Sequence, residues 1–287
     1  MAKPPLISII MPALNASAFI AEAIDSVLAQ SWTEWELLVV DNGSTDDTTA
    51  IVRAYTDPRI TLLHCGTRGV SLARNQALQQ MRGEFYCFLD ADDILPASSL
   101  ADRAALLVNN ASVFFADGAM RAFKTNDPCV WERTPTYRGP APLQQLFSIT
   151  GACFLGPTWM IRRTAGPVPL FRTDMTHAED LLYYMSIAHH GAYDHVPHPV
   201  LHYRVGTASA MSDLDGLHRG YRQLMRAMHD LPIPPDEATL QQAWARIRSI
   251  MFKSYLKKGR FLAALSAWFG SRPDRPAQST AKPNISL

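Results

Sequence analysis

Several signals are missing from this sequence. The four cysteines, Cys65, Cys87, Cys129 and Cys153, are scattered and form no Cys-x-x-Cys pair. That spacing argues against a disulfide frame or a cysteine zinc site and reads as core or incidental thiols in a reducing compartment. No run of about 18 apolar residues occurs, so no segment reads as a membrane-crossing helix. The opening MAKPPLISIIMPAL is too short and too broken by proline to read as a secretory signal. An excess of either charge is also missing. Lys plus Arg number 27 against 26 Asp plus Glu, a net of +1, whereas a dedicated nucleic-acid binder normally shows a basic surplus. No internal repeat is visible. Core-forming material is abundant: 47% of the 287 residues are apolar and 18% charged. The expectation is a soluble, cytoplasmic, globular protein of about two domains.

The first third alternates strand and helix patterns. Ile7 to Met11, Glu36 to Val40, Arg59 to Cys65 and Glu84 to Leu89 are short apolar, β-branched runs that read as buried strands. Ser17 to Gln30 carries Ile20, Ile24, Val27 and Leu28 at helical spacing. Ser44 with Asp47 resembles a capping box for a helix carrying Ile51, Val52 and Tyr55. Val70, Ala73, Ala77, Leu78 and Met81 line a third helix, with Gly83 as its stop. This order predicts an α/β fold with a mostly parallel sheet and helices on both faces. Such sheets bind ligands beyond the carboxyl ends of their strands, which directs attention to Asp41 and Asp90.

Further on, Ser98 to Val108 reads as helix, Ser112 to Lys124 as strand, Thr125 to Pro142 as a long loop, and Tyr193 to Val205 as strand. A helix starts sharply at Thr176. From Asp213 the pattern is helical, and Arg272 to Leu287 reads as a frayed tail.

In Asp90-Ala91-Asp92-Asp93, Asp90 and Asp92 share one side if the extended backbone continues. Two adjacent carboxylates at a strand end suit a divalent cation that also binds phosphate oxygens. A solvated acidic turn or a helix N-terminus is the plainer alternative.

Ile7 to Asn15 (ISIIMPALN), Glu36 to Thr48 (ELLVVDNGSTDDT), Gly69 to Asn75 (GVSLARN) and Phe88 to Pro96 (FLDADDILP) occur in this order. With Ala178-Glu179-Asp180-Leu181 and Tyr203-Arg204-Val205, they resemble the family 2 glycosyltransferases over about the first 210 residues. The resemblance implies a GT-A fold: a Rossmann-like nucleotide-binding sheet, here with a C-terminal helical extension. It implies inverting transfer from a nucleotide diphosphate sugar to a hydroxyl acceptor, either a saccharide or a lipid-linked one. Carried over by motif, Pro12, Ala13 and Asn15 line the nucleotide pocket and Asp41 and Asn42 face the base. Arg74 lies near the nucleotide, Asp90 contacts ribose or metal-bound water, and Asp92 binds Mn²⁺ or Mg²⁺. The implied domains are a catalytic unit over 1–212 (nucleotide half 1–96, acceptor half 97–212), helices over 213–271 and a tail over 272–287.

The motif makes Asp180 the general base. Thr176 and Glu179 have capping-box spacing, so Glu179 carries a supporting structural role, and a first-turn position keeps Asp180 ionised. Two positions depart from the family pattern. Asn42 stands where many relatives have a second Asp, leaving uridine or thymidine open as the base. Gly206 stands where a histidine is usual, with His198 and His202 as substitutes to consider. Basic residues from Arg246 to Arg260, interleaved with Trp244, Phe252 and Tyr255 and followed by FLAALSAWF, suit either an amphipathic helix packed on the protein or contact with an anionic membrane through 244–271. The latter would put the chain on the cytoplasmic face of a membrane. Two other readings are a nucleotide-sugar-binding module without turnover and a haloacid-dehalogenase-like phosphatase. The phosphatase motif closes the first strand of its domain, whereas three strand–helix units precede Asp90 here.

Overall fold

The computed structural model describes residues 3–154, 156–206 and 212–274. The chain opens as β1 (Ile7–Ala13), α1 (Ile20–Leu28), β2 (Trp35–Asp41), α2 (Thr48–Arg53), β3 (Ile60–His64), α3 (Val70–Gln80) and β4 (Phe85–Phe88). It continues with α4 (Ser99–Asn109), β5 (Val113–Lys124), β6 (Asp127–Arg133), α5 (Pro142–Phe147), β7 (Met160–Arg162), α6 (Glu179–Ile187) and β8 (Ala192–Arg204). Helices α7 (Leu214–Ala227), α8 (Glu237–Lys257) and α9 (Phe261–Phe269) follow.

One sheet runs β3-β2-β1-β4-β7-β5-β6, with β8 beside β5. The strands β1 to β4 pair in parallel, and β7 enters antiparallel between β4 and β5. Every residue of β2 is buried, as expected of a strand covered on both faces. Ala13 is level with Asp41, and Ile10 with Phe88. The carboxyl ends of these strands therefore open onto one edge.

The amino-terminal edge is closed by a buried polar knot. Ser8 Oγ donates to Glu36 Oε1 at 2.6 Å, while the Arg82 backbone N–H and Nε donate to the two Glu36 oxygens at 2.6 and 2.8 Å. Burial alone would raise the Glu36 carboxyl, but these hydrogen bonds outweigh it and hold the group below its ordinary range. Gly83 belongs to this knot and is not a left-handed helix stop. A Cβ there would lie 2.5 Å from the Phe85 carbonyl and 2.6 Å from Ser8 N, so close backbone approach demands the glycine.

Three further expectations are corrected. The segment read as a loop from Thr125 contains β6, paired antiparallel with β5 and tied by Arg121–Glu132 at 2.8 Å. Its mostly exposed residues hid it, because an edge strand needs backbone pairing more than a buried face. Ser44 does not cap α2, which starts at Thr48 with Asp47 as N-cap. Instead Asp46 accepts from the Thr48 N–H and hydroxyl, and Tyr55 lies beyond the helix, its hydroxyl donating to Asp25. The backbone does not stay extended through Asp90–Asp93: the Asp93 N–H closes a turn onto the Asp90 carbonyl at 3.0 Å.

The C-terminal helices share the core of the sheet domain. Leu240, Ala243, Trp244, Ile247, Met251 and Tyr255 form one buried stripe on α8, joined to α5, α6 and α7 in a continuous apolar cluster. Much of the segment considered for membrane contact is therefore interior. Among the described residues no helix is long and apolar enough to cross a membrane. The tail expected over 272–287 lies outside the described residues from 275 onward.

Candidate active site

Two loops close the β1–β2 end. Asn15 adopts φ 49°, and its Oδ1 accepts from the Thr45 N–H at 2.8 Å. The Asn15 N–H donates to Ser44 Oγ at 3.0 Å, and the Ala16 N–H to Thr48 Oγ1 at 2.8 Å. Pro12 and Ala13 lead into this loop, with the Ala13 carbonyl accepting from the Asn42 N–H at 2.8 Å. Asp41 is buried, accepts from the Ser44 N–H at 3.1 Å and lies 3.5 Å from His64 Nδ1. Asn42 spans to the loop before α3: its Nδ2 donates to the Thr67 carbonyl at 2.9 Å, and its Oδ1 accepts from the Gly69 N–H at 2.7 Å. The departure from Asp thus has a local reason. A carboxylate could accept from Gly69 but could not donate to Thr67.

The acidic turn is clamped from β8. Arg204 donates from its backbone N–H to Asp93 Oδ1 and from Nε to the Asp92 carbonyl, both at 2.8 Å, and it pairs with Glu22. The Arg204 guanidinium lies over the Phe19 and Phe123 rings. Asp93 is fully buried, and Asp90 and Asp92 are partly exposed. Burial, then the Asp90 charge, push the Asp93 carboxyl well above its ordinary range.

Arg74 joins this turn to α6. From α3 its Nη2 reaches Asp90 Oδ1 at 3.1 Å and its Nη1 reaches Glu179 Oε1 at 3.3 Å, and the side chain is only 9% exposed. A surface helix arginine is thereby excluded. Its guanidinium lies 5.3 Å from the Phe171 ring centroid. Asn75 fixes Phe171 by a reciprocal backbone pair, Nδ2 to the carbonyl at 2.9 Å and N–H to Oδ1 at 2.7 Å. The Phe171 ring stacks on Tyr183 with centroids 4.0 Å apart.

The start of α6 differs from expectation. Its N-cap is Ala178 at φ 59°, with no side-chain cap. Thr176 is exposed and meets His177 Nδ1, so Thr176 and Glu179 form no capping box. The left-handed residue reverses the chain just before Glu179, which is free to turn inward to Arg74.

A family model described as "Glycosyl transferase family 2" matches residues 8–165, more than half of the chain. The chain belongs to this glycosyltransferase family. A β-1,3-glucosyltransferase of Escherichia coli named WfgD, described as using UDP-Glc and α-D-GlcNAc-diphosphoundecaprenol, is 43% identical over 106 residues. That match spans 37% of this chain and 42% of the relative. Staphylococcus aureus TarS 1–349 in complex with UDP-GlcNAc superposes with a TM-score of 0.67, covering 93% of this chain and 81% of that one at 21% identity. A Pyrobaculum calidifontis mannosyltransferase, PcManGT, in complex with GDP-Man and Mn²⁺, gives 0.60 over 93% and 74%, also at 21%. These structural likenesses establish the GT-A fold.

The electrostatics of the glycosyltransferase centre on too few positive charges. Asp90, Glu179 and Asp180 act on the single Arg74 guanidinium, which they hold protonated against the cost of its burial. Burial raises the half-buried Asp180 carboxyl, and the Asp90 charge adds to this; Arg74 and the Leu181 N–H, 2.7 Å from Oδ1, pull it back only in part. Burial, then Asp180, raise Glu179 likewise. The helix start alone therefore does not keep Asp180 at an ordinary carboxylate value, because desolvation outweighs the helix dipole.

Each candidate histidine ring has a partner outside the acidic turn. His198 Nε2 is 2.8 Å from Asp102, and the His202 ring packs 6.3 Å from Phe123. Gly206 adopts φ +98°. Sequence reasoning missed Asn75, Phe171 and the clamp made by Arg204. The available signal was Arg74-Asn75 inside an otherwise apolar helix stripe: both are buried, while the expected Val70 is exposed.

Proposed function

We propose that this glycosyltransferase moves a sugar from a nucleotide diphosphate sugar, with UDP the first candidate, to a hydroxyl of a cell-envelope polysaccharide, lipopolysaccharide or glycolipid, with inversion. One observation carries the reading. Arg74 gathers Asp90 just after β4 and Glu179-Asp180 at the start of α6, side chains about ninety positions apart, around one buried cation. The UDP-GlcNAc complex of TarS and the lipid-diphosphate acceptor in the description of WfgD support the donor and acceptor classes.

Asp180 takes the proton from the acceptor hydroxyl as that oxygen attacks the anomeric carbon and the bond to the diphosphate breaks. Its raised carboxyl is a better matched base than an ordinary aspartate. A single displacement of this kind inverts the configuration. Glu179 holds Arg74, and Arg74 holds Asp90. Pro12, Ala13, Asn15, Asp41 and Asn42 form the nucleotide wall, so residues 1–96 serve the donor and 97–212 the acceptor.

The acidic turn fits a hard divalent cation. Among the described residues no three His, Cys, Asp or Glu side chains converge into a ready-made metal site. The carboxylates nevertheless outnumber the cations, and the buried Asp93 Oδ2 has no hydrogen-bond partner among the described residues. Asp92, with Asp90, would hold Mn²⁺ or Mg²⁺ and leave its other positions to diphosphate oxygens and water. Such an ion neutralises the charge that develops on the leaving diphosphate. We read the chain as working in the cytoplasm, where nucleotide sugars are made.

Thermal shift with UDP, TDP and GDP tests this. UDP is expected to raise the melting temperature only with Mn²⁺ or Mg²⁺, and Asp92→Ala to lose most of that shift. A UDP shift equal in chelator and metal would overturn the metal assignment. The engagement of His198 by Asp102 favours one second reading, a module that binds nucleotide sugar without turnover. It predicts the same shift with no product.

A further inference from the structure

Helix α9 is oriented against the usual rule. Ala264 and Ala267 are completely buried against α8 and the core, while the large side chains face out: Phe261 is 66% exposed, Leu262 84% and Phe269 77%. Leu265 and Trp268 are also exposed. At about 100° per residue these five fall within an arc of about 120°. An ordinary surface helix points its large apolar residues inward, and a contiguous exposed apolar stripe marks a contact surface.

The stripe continues into a basic corner. Leu256, Lys257, Lys258, Gly259, Arg260, Phe261 and Leu262 are seven consecutive exposed residues, and Lys253 is exposed one turn earlier. Gly259 makes the bend at φ +70°. No acid occurs from Ala238 to Pro273. The other basic residues of this stretch serve internal roles: Arg246 donates to the Ile149 carbonyl, Arg248 to the Trp268 carbonyl, and Arg272 pairs with Glu237. Arg260 is shared with Asp215.

We propose that α9 and the Lys257–Arg260 corner form a monotopic docking surface for an anionic lipid bilayer, with Phe261, Leu262, Leu265, Trp268 and Phe269 entering the headgroup–acyl boundary. Charge complementarity selects the lipid. Three exposed lysines beside an aromatic and aliphatic stripe match anionic headgroups above an apolar layer. A second copy matches poorly. A nine-residue helix is about 14 Å long, short for the roughly 800 Å² per partner of a stable dimer. The inference rests on this surface and stands or falls apart from the sugar-transfer reading.

The test is co-sedimentation of the full chain with phosphatidylcholine vesicles, with and without phosphatidylglycerol. Binding is expected only with phosphatidylglycerol and should weaken as salt rises. Leu262→Ser/Phe269→Ser should weaken it at least tenfold, and Lys257→Glu/Lys258→Glu should abolish its dependence on phosphatidylglycerol. All four side chains are exposed, so the variants should keep the parent melting temperature. Three results would each overturn the proposal: no binding to anionic vesicles, equal binding to neutral ones, or binding unchanged in the apolar double variant. A stable dimer in solution that the apolar variant dissolves would assign the face to a second copy instead.

Discussion

An Asp180→Asn enzyme is expected to transfer sugar about 10³-fold more slowly while still binding the nucleotide diphosphate, since a positioned general base contributes roughly 10²–10⁴. The amide keeps the shape of the side chain and an oxygen to accept the Leu181 N–H, but it cannot take a proton from the acceptor. The loss should fall on kcat, with donor affinity and melting temperature nearly unchanged. Stability should even rise a little, because one of three carboxylates crowded around Arg74 becomes neutral. The pH profile supplies a second readout. The raised Asp180 carboxyl is protonated, and inactive as a base, up to a pH above the ordinary aspartate range, so the acid limb of kcat should lie above that range. Turnover within tenfold of the parent, or a loss confined to Glu179→Gln, would move the base away from Asp180.

Arg74→Met is expected to damage the protein more broadly. It leaves Glu179 buried without its cation and Asp90 without its partner. Removing one member of a buried pair costs about 3–5 kcal/mol. Asp90, at 35% exposed, keeps some hydration, so the low end applies here. At about 2–4 °C per kcal/mol, unfolding should come at least about 6 °C earlier. Activity should also fall, with the acid limb shifting to higher pH because Asp180 loses a favourable charge. Arg74→Lys should rescue little, since a point charge cannot hold Asp90 and Glu179 together as a planar fork does. Adding Glu179→Gln to Arg74→Met should recover part of the stability, because the stranded carboxylate is then neutral. A melting temperature within a degree of the parent would show the hub to be dispensable.

The strand–helix alternation and the sheet edge that carries Asp41 and Asp90 were legible in the sequence, because short β-branched runs and helical spacing are local signals. The order of the family's motif segments was legible too. What Arg74 does was not. Its partner Glu179 lies 105 residues away, and no periodicity encodes a contact at that distance. The left-handed turn at Ala178 was hidden because alanine carries no sign of positive φ, and the Thr176–Glu179 spacing imitated a cap. Edge strand β6 was hidden by the Pro-, Thr- and Arg-rich stretch that contains it. Helix α9 was legible only as one of two alternatives, a packed helix or a membrane contact, because its composition does not say that burial falls on its two alanines.

The Glu36 knot and the Arg74 hub sit at opposite ends of the same strands, and their carboxylates are tuned in opposite directions. The lowered Glu36 carboxyl contributes stability that is present above the ordinary glutamate pKa and is lost only as pH falls through its lower folded value. The raised Glu179 and Asp180 become neutral earlier on that descent, and their protonation favours the folded chain. A mildly acidified sample should therefore first fall silent while its far-UV spectrum stays native, and should regain full turnover on neutralisation. Inactivation that coincided with unfolding would contradict this ordering. In an acidifying environment the enzyme would idle, not denature.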